Sequence, residues 1–584
     1  MRLHARWRTA GPSARLVALC LLLVLPPAAA SAAEPFLAPA QPSGSIAVKL
    51  YPTESVTPGT PKLVTFGVPF PRGSVTVAGL AKVRVLKAGS EVAAWVEQLT
   101  PWRHTTNPAV DGQSVRVARI QVQYTFAVAY PGSETVTVEW GLTNRAQSLP
   151  SFTNPRTAWH LVTTGSYVAA DGVSEPDVYA VLPAAHLSQG TLKLTRMEAF
   201  DPGVAEGRDD PFAMDAVEHW PGNEEQQHAA KNNSFTLVNE DDPLVDPRNY
   251  CPYKTDFEPW LYDRASSLYA LYLRSGFLKP LREAVRAADF YNNHLDANGR
   301  LDLNPSDPKY SYNECLAYTH WLTGDDNART KISLVVNSLA SFPSRWSPSV
   351  GFWTERHAAF KLLANVVAYE VLGNAYKTAV QTITGDYVWH QDGAGGQIPS
   401  PHVDGGLYHT GAQHSEGSRK IYLASPWMTV LLVDAMLRTY AVTEDPAVAG
   451  FIARTGTFEK TATRSDASHQ YDTYSGPLWY ADYLTRYNGV VDMRSHQFME
   501  EHALEVGAAT AWAGYFSSLV GAYDPLLTQR ANDLYFTYDI GVNFWIRPDA
   551  PPSGLAAYRI APWRKYGWEH RPSGGFSWAL ANQP

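Results

Sequence analysis

The chain changes its hydrophobic period once, near Pro259. From Ile46 to about Leu142 apolar residues recur at every second position, a mixed stretch follows, and from about Pro259 they recur at helical spacing. A chain patterned in this way cannot build one kind of layer throughout. It must place a β-rich part first and a helical part second.

The period-two part runs over residues 46–150. It contains Leu63-Val64-Thr65-Phe66-Gly67-Val68, Ala81-Lys82-Val83-Arg84-Val85-Leu86, the run from Val115 to Val122, and Glu134 to Trp140. Turn clusters such as Pro71-Arg72-Gly73, Asp111-Gly112-Gln113 and Tyr130-Pro131-Gly132 separate these runs. Many short strands at regular spacing predict a β-barrel or sandwich. Residues 151–250 read as a smaller β region with an irregular excursion, with Val178 to Leu182 and Gly190 to Leu194 as further strands.

The helical part, residues 255–540, repeats one phrase: an apolar, aromatic helix ending in a Gly or Asp turn. Copies end at Gly276, Gly324 and Gly373, and a weaker copy runs from Ala435 to Asp445. A repeat of this length accommodates two helices with their loops, and Gly at each end suits a left-handed cap. Such pairs bury their apolar faces only by stacking. Inserts at 381–422 and 446–480 favour a closed α/α toroid of helix pairs over an open solenoid. Residues 541–584, rich in Trp, Pro and Gly, are left without assignment.

Residues 1–33 have the pattern of a secretory signal peptide. Arg2, Arg6, Arg8 and Arg15 precede a short apolar run, Pro26-Pro27 breaks it, and Ala30-Ser31-Ala32 fits the cleavage rule. Residues 34–45 read as a linker. The expected product is secreted or periplasmic, with no membrane segment in its mature form. Cleavage leaves 44 basic residues against 56 acidic ones. That balance argues against nucleic acid as a partner. Three cysteines exclude a disulfide scaffold and a Cys-rich metal protein, and Cys251 and Cys315 could pair after export or equally stay as two buried free thiols. Eighteen Trp and 31 Tyr would suit a groove that stacks on sugar faces. No Gly-x-Ser-x-Gly elbow, P-loop, dinucleotide fingerprint or CxxC pair occurs.

The phrase from Thr65 to Gly73, followed by Val83-Arg84-Val85-Leu86 and Asp111 to Arg116, resembles the N-terminal RIFT-type β-barrel of the exo-rhamnogalacturonan-lyase-like (YetA-like) family. Glu175 to Pro183 resembles that family's transition out of the barrel, and the helical repeats fit its α/α toroid. The resemblance implies an exported carbohydrate-active protein, such as a polysaccharide lyase, and identifies no catalytic residue.

Uronate β-elimination needs a cation or amide at the carboxylate, a base for the C5 proton, and an acid for the leaving oxygen. Three stretches offer these groups. Phe352-Trp353-Thr354-Glu355-Arg356-His357 opens a helix. A Gly-rich insert holds His402, Asp404, Tyr408, His409, His414, Glu416 and Arg419, with Trp427 opening the next helix. Tyr310-Ser311-Tyr312-Asn313-Glu314 starts a third. Trp260 to Arg264 and the group His496, Glu500, Glu501 and His502 read as structural.

The catalytic candidates are therefore His409, His414, Tyr408, His357, Arg356 and Tyr312. The substrate-binding candidates are Asn313, Glu355, Trp353, His402, Arg419 and Trp427. No metal-ligand spacing is visible, so no metal or other cofactor is assigned, and nothing in the sequence indicates bound calcium. A polysaccharide is the expected partner. The alternatives are a glycoside hydrolase using acids among Glu314, Glu355, Asp404 and Glu416, and a non-catalytic glycan-binding protein.

Overall fold

A computed structural model describes residues 34–163, 172–199, 260–393, 404–415, 420–466, 476–487, 502–545 and 571–584. The signal sequence, Cys251, and the excursion at 203–233 lie outside the described residues. So do His402, Glu416, Arg419, His496, Glu500 and Glu501.

The N-terminal part holds two larger antiparallel sheets and a two-stranded one, β8 Trp159–Leu161 with β9 Ser174–Pro176. The first is ordered β10-β1-β7-β3-β4, from strands Val178–Val181, Gly44–Pro52, Glu134–Trp140, Arg84–Lys87 and Ser90–Val92. The second is ordered β2-β6-β5, from Pro61–Pro69, Val115–Thr125 and Ala94–Pro101. β1 buries Ile46, Val48 and Leu50 and turns Ala47 and Lys49 to solvent, as a half-buried strand should. β6 is instead buried along most of its length.

Two predicted strands differ from what is observed. The 81–86 run begins as a 3-10 turn, Ala78–Lys82, and only its second half pairs. Residues 190–194 form turns rather than a strand. Their carbonyls are engaged elsewhere: Arg116 donates from Nε to Thr191 O at 2.7 Å and from Nη2 to Leu192 O at 2.9 Å. β10 pairs with β1, so it extends the first sheet.

The helical part follows as predicted. Its helices come in pairs: α1 Arg264–Ser275 with α2 Leu278–Asn293, α3 Glu355–Leu372 with α4 Lys377–Gln391, α5 Pro426–Thr443 with α6 Pro446–Thr461, and α7 Ala503–Leu519 with α8 Pro525–Trp545. Glu314–Thr323, here αA, is followed by two short helices. First members are buried on nearly every side, which explains their all-round apolar character. Among the second members α4 and α6 bury one stripe, in α4 Val380, Ile383, Thr384, Tyr387 and His390, whereas α2 is buried on most sides.

The sequence inserts at 381–422 and 446–480 thus contain the end of α4 and the whole of α6. Gly276 and Gly324 are left-handed caps, donating to Tyr272 O and His320 O. Gly373 has a positive φ with extended ψ, and at the end of α5 the left-handed position falls on Glu444. Within the unassigned tail, helix Phe576–Ala581 packs on α7. Cys315 is a buried free thiol. No helix among the described residues is long and apolar enough to cross a membrane.

Residues Pro35–Gln583 form one compact unit. Several features join sheets to helices, and two come first. Gly67 in β2 lies so close to αA that a Cβ there would stand 1.6 Å from Trp321 O. The second is a buried ion network. Glu370 accepts from Arg116 of β6 at 2.5 Å and from Arg438 of α5 at 2.6 Å. Glu314 accepts from Arg438 at 2.6 Å and Arg571 at 2.9 Å. Asp434 pairs with Lys193 at 3.0 Å and Arg571 at 3.1 Å. Burial alone would make Glu314 hold its proton, but Lys193, Arg571 and Arg438 outweigh it and keep the carboxyl far below the usual range.

Removing one partner of a buried pair strands the others in a low-dielectric interior. Glu370→Gln should therefore cost about 3–5 kcal/mol in denaturant unfolding. An unchanged midpoint would mean that this network does not hold the sheets to the helices.

A second cluster joins β9 (Ser174–Pro176) to α2. Glu175 is held by Arg282 and Arg286, each at 2.8 Å. Hydrogen bonds to Asp177 and Glu175 push His160 up to about 9. A raised histidine stabilises the fold fully below its unfolded value of 6.5, and that stability fades as pH rises through about 9. Melting temperature should fall across that window, and His160→Gln should flatten the fall. Identical pH profiles for the two proteins would refute the assignment.

Candidate functional site

The site is assembled at the N-terminal ends of α3 and α5. Thr354 caps α3, accepting from the His357 amide, and its hydroxyl lies 2.7 Å from His357 Nδ1. His357 is thereby held inside, packed against Phe342 and Phe352. Glu355 is fully buried, and its Oε1 accepts from the Ser425 amide at 2.8 Å. Ser425 is the cap position of α5, so this carboxyl ties the two helix starts together.

The Gly-rich insert supplies the histidines. His409 sits in the short strand β11, His409–Thr410, and pairs with Leu423 of β12, Tyr422–Ala424. A turn brings the chain back: the amides of Gln413 and His414 both donate to Thr410 O. Gln413 clamps that turn, donating to Ser347 O and Val350 O and accepting from Trp346. His414 therefore stacks on His409 with ring centres 5.1 Å apart, and His409 Nε2 lies 2.9 Å from His414 Nδ1. On the other side, His409 Nδ1 stands 3.7 Å from Glu355 Oε1.

Burial sets the protonation here. It pushes His409 down to about 3, with the His414 charge adding to the effect, and His414 down to about 4, with Arg356 adding. It pushes Glu355 up to about 8. At neutral pH both imidazoles are uncharged, and one can donate its proton to the other.

Arg356 is half-buried beside this pair. It donates to the Tyr262 phenol at 2.8 Å and lies over the Trp427 ring at 5.7 Å. Trp427 in turn stacks on His502 at 4.9 Å. Tyr262 and Asp263 both have positive φ, 70° and 59°, a strained arrangement for non-glycine residues. Asp263 holds it by accepting from Ser266 twice, and the Tyr262 amide donates to Tyr312 Oη at 2.6 Å.

The sequence candidates separate accordingly. Glu355, Arg356, His409, His414 and Trp427 come together, and Trp353 packs against His409 from within the core, with ring centres 5.6 Å apart. Tyr408 is buried and gives its hydroxyl to Asp404 at 2.6 Å. Tyr312 donates to Lys309 O and accepts from Tyr262, so both sides of its hydroxyl are engaged. Asn313 is buried and donates to Ala364 O at 2.8 Å. Glu314 belongs to the ion network. His402 and Arg419 lie outside the described residues. Tyr262 is the residue that the sequence did not single out. Its stretch was read as structural, and only the strained backbone before α1 turns its phenol to Arg356.

An open groove of about 700 Å³ lies elsewhere, between α5, α6, α7 and α8. Tyr440, Glu444, Ala453, Arg454 and Leu527 line it, and none of the sequence candidates does.

No family model and no curated protein matches the sequence. Among solved structures, the Lin0763 protein of Listeria innocua overlaps 62% of this chain and 96% of its own, at 11% identity and a TM-score of 0.37. A polysaccharide lyase overlaps 55% of this chain and 90% of its own, at 10% identity and a TM-score of 0.35. Overlaps at these scores assign neither fold nor activity to this chain.

Proposed function

We propose that the protein is an exported carbohydrate-active enzyme that cleaves a uronate-containing polysaccharide by β-elimination. The observation that supports this most is the adjacency of a half-buried arginine to a pair of uncharged histidines in contact at 2.9 Å. Arg356 pairs with the substrate carboxylate and stabilises the charge that develops as the C5 proton leaves. His414, the less buried of the pair, takes that proton, and His409 sets its tautomer from behind. Tyr262, already bonded to Arg356, returns a proton to the leaving oxygen.

Hydrolysis needs two carboxyl groups across the glycosidic bond. Three of the four acids that could serve are committed otherwise. Glu314 is in the ion network, Glu355 is fully buried against Ser425, and Asp404 accepts from Tyr408 and the Gly406 amide. Glu416 lies outside the described residues. These commitments favour elimination.

The test is a panel of uronate polysaccharides followed by ultraviolet absorbance of the conjugated unsaturated product. Absorbance should rise, and His414→Ala should slow it by about 10²–10⁴ while the circular dichroism spectrum stays unchanged. Reducing ends without absorbance would mean a hydrolase. Binding without cleavage would mean a glycan-binding protein.

A further inference from the structure

Glu355, His409 and His414 each present one donor atom within 4.8 Å of the other two, and all three side chains are buried. Donors at ~2.0–2.2 Å from one ion stand only about 4 Å apart at most, so small side-chain rotations would complete the set. We infer that these three side chains bind one divalent transition-metal ion.

Three features of the surroundings favour an ion. Glu355 Oε2 is buried with no hydrogen-bond partner, while Oε1 is fixed by the Ser425 amide. A carboxylate oriented through one oxygen and left open at the other is how ligands are prepared by their outer shell. Glu459 is fully buried as well, and both of its carboxyl oxygens are without a partner. Glu459 lies close enough to Glu355 to feel its charge, so a cation held by Glu355 would act on this second buried carboxyl as well. The third feature is rigidity. β11 fixes His409 and the Gln413 clamp fixes His414, so little ordering entropy opposes binding.

The donor types set the class of ion. Two imidazoles and one carboxylate suit Zn²⁺ or Mn²⁺, with open positions left for water or substrate oxygen. Calcium prefers an all-oxygen shell and fits poorly. His and Glu ligands separated by 54 and 59 residues give no local spacing, which is why the sequence suggested no metal.

One consequence rests on the β-elimination reading. An imidazole nitrogen that ligates an ion has no lone pair left for the C5 proton. Metal loading and base catalysis by this pair therefore exclude each other, and the loaded protein should cleave more slowly than the metal-free one.

The test dialyses the full chain against Zn²⁺ or Mn²⁺, desalts it, and counts ions by elemental analysis, with calorimetry for affinity. One ion per chain is expected, and Glu355→Gln and His414→Ala should each weaken binding more than about tenfold. Melting temperatures of the metal-free variants report whether they still fold. A wild-type chain that leaves desalting without an ion overturns the site, as do well-folded variants that bind like wild type. Cleavage is read separately. A rate that rises on loading keeps the metal site and overturns the histidine-base reading. Ion binding by a protein that cleaves nothing leaves the site standing and overturns the elimination reading alone.

Discussion

Seven charged side chains buried between sheet and helices determine how the rest of the molecule is arranged. Arg116, Lys193, Arg438 and Arg571 face Glu314, Glu370 and Asp434, and every one is nearly inaccessible to water. Removing these charges from water is costly, and only close pairing offsets that cost. The network therefore tolerates little displacement. It fixes αA, α3 and α5 against β6 and against each other.

That constraint reaches the candidate site through two rigid helices. Glu370 and Glu355 lie on the same helix, 15 residues and about 22 Å apart. Arg438 and Trp427 are similarly placed on α5. Holding the two helices in register at the network sets the spacing of their N-terminal ends. There Glu355 reaches across to Ser425, and Arg356 meets Trp427. The histidine hairpin then needs only its own turn and the Gln413 clamp to bring His409 and His414 against that seam. Burial keeps the pair uncharged, and the half-buried Arg356 supplies a positive charge where an acidic polymer would need one in a protein that is acidic overall.

Much of the framework was legible because it depends on local pattern. Alternation identified β2, β6 and β7, the apolar run at 178–182 marked β10, and the glycines at 276 and 324 marked true helix ends because each adopts a positive φ. Failures came where long-range partners override the pattern. Residues 190–194 alternate like a strand, yet Arg116 takes their carbonyls. Glu444 occupies a left-handed cap with no glycine to announce it. At the site, residue types were legible but their grouping was not. Glu355 meets His409 only after two helix pairs have stacked, and Tyr312 and Tyr408 look like free phenols until Lys309 and Asp404 are seen to engage them. Tyr262 depends on a strained backbone that no periodicity reveals.

The central claim is that substrate engages the face formed by Arg356, Tyr262 and His414. A crystal structure of the His414→Ala protein with a uronate oligosaccharide tests it most directly. The claim predicts the sugar carboxylate on the Arg356 guanidinium, with C5 facing the space left at position 414. An oligosaccharide bound in the groove lined by Tyr440, Arg454 and Leu527, with Arg356 untouched, would contradict it.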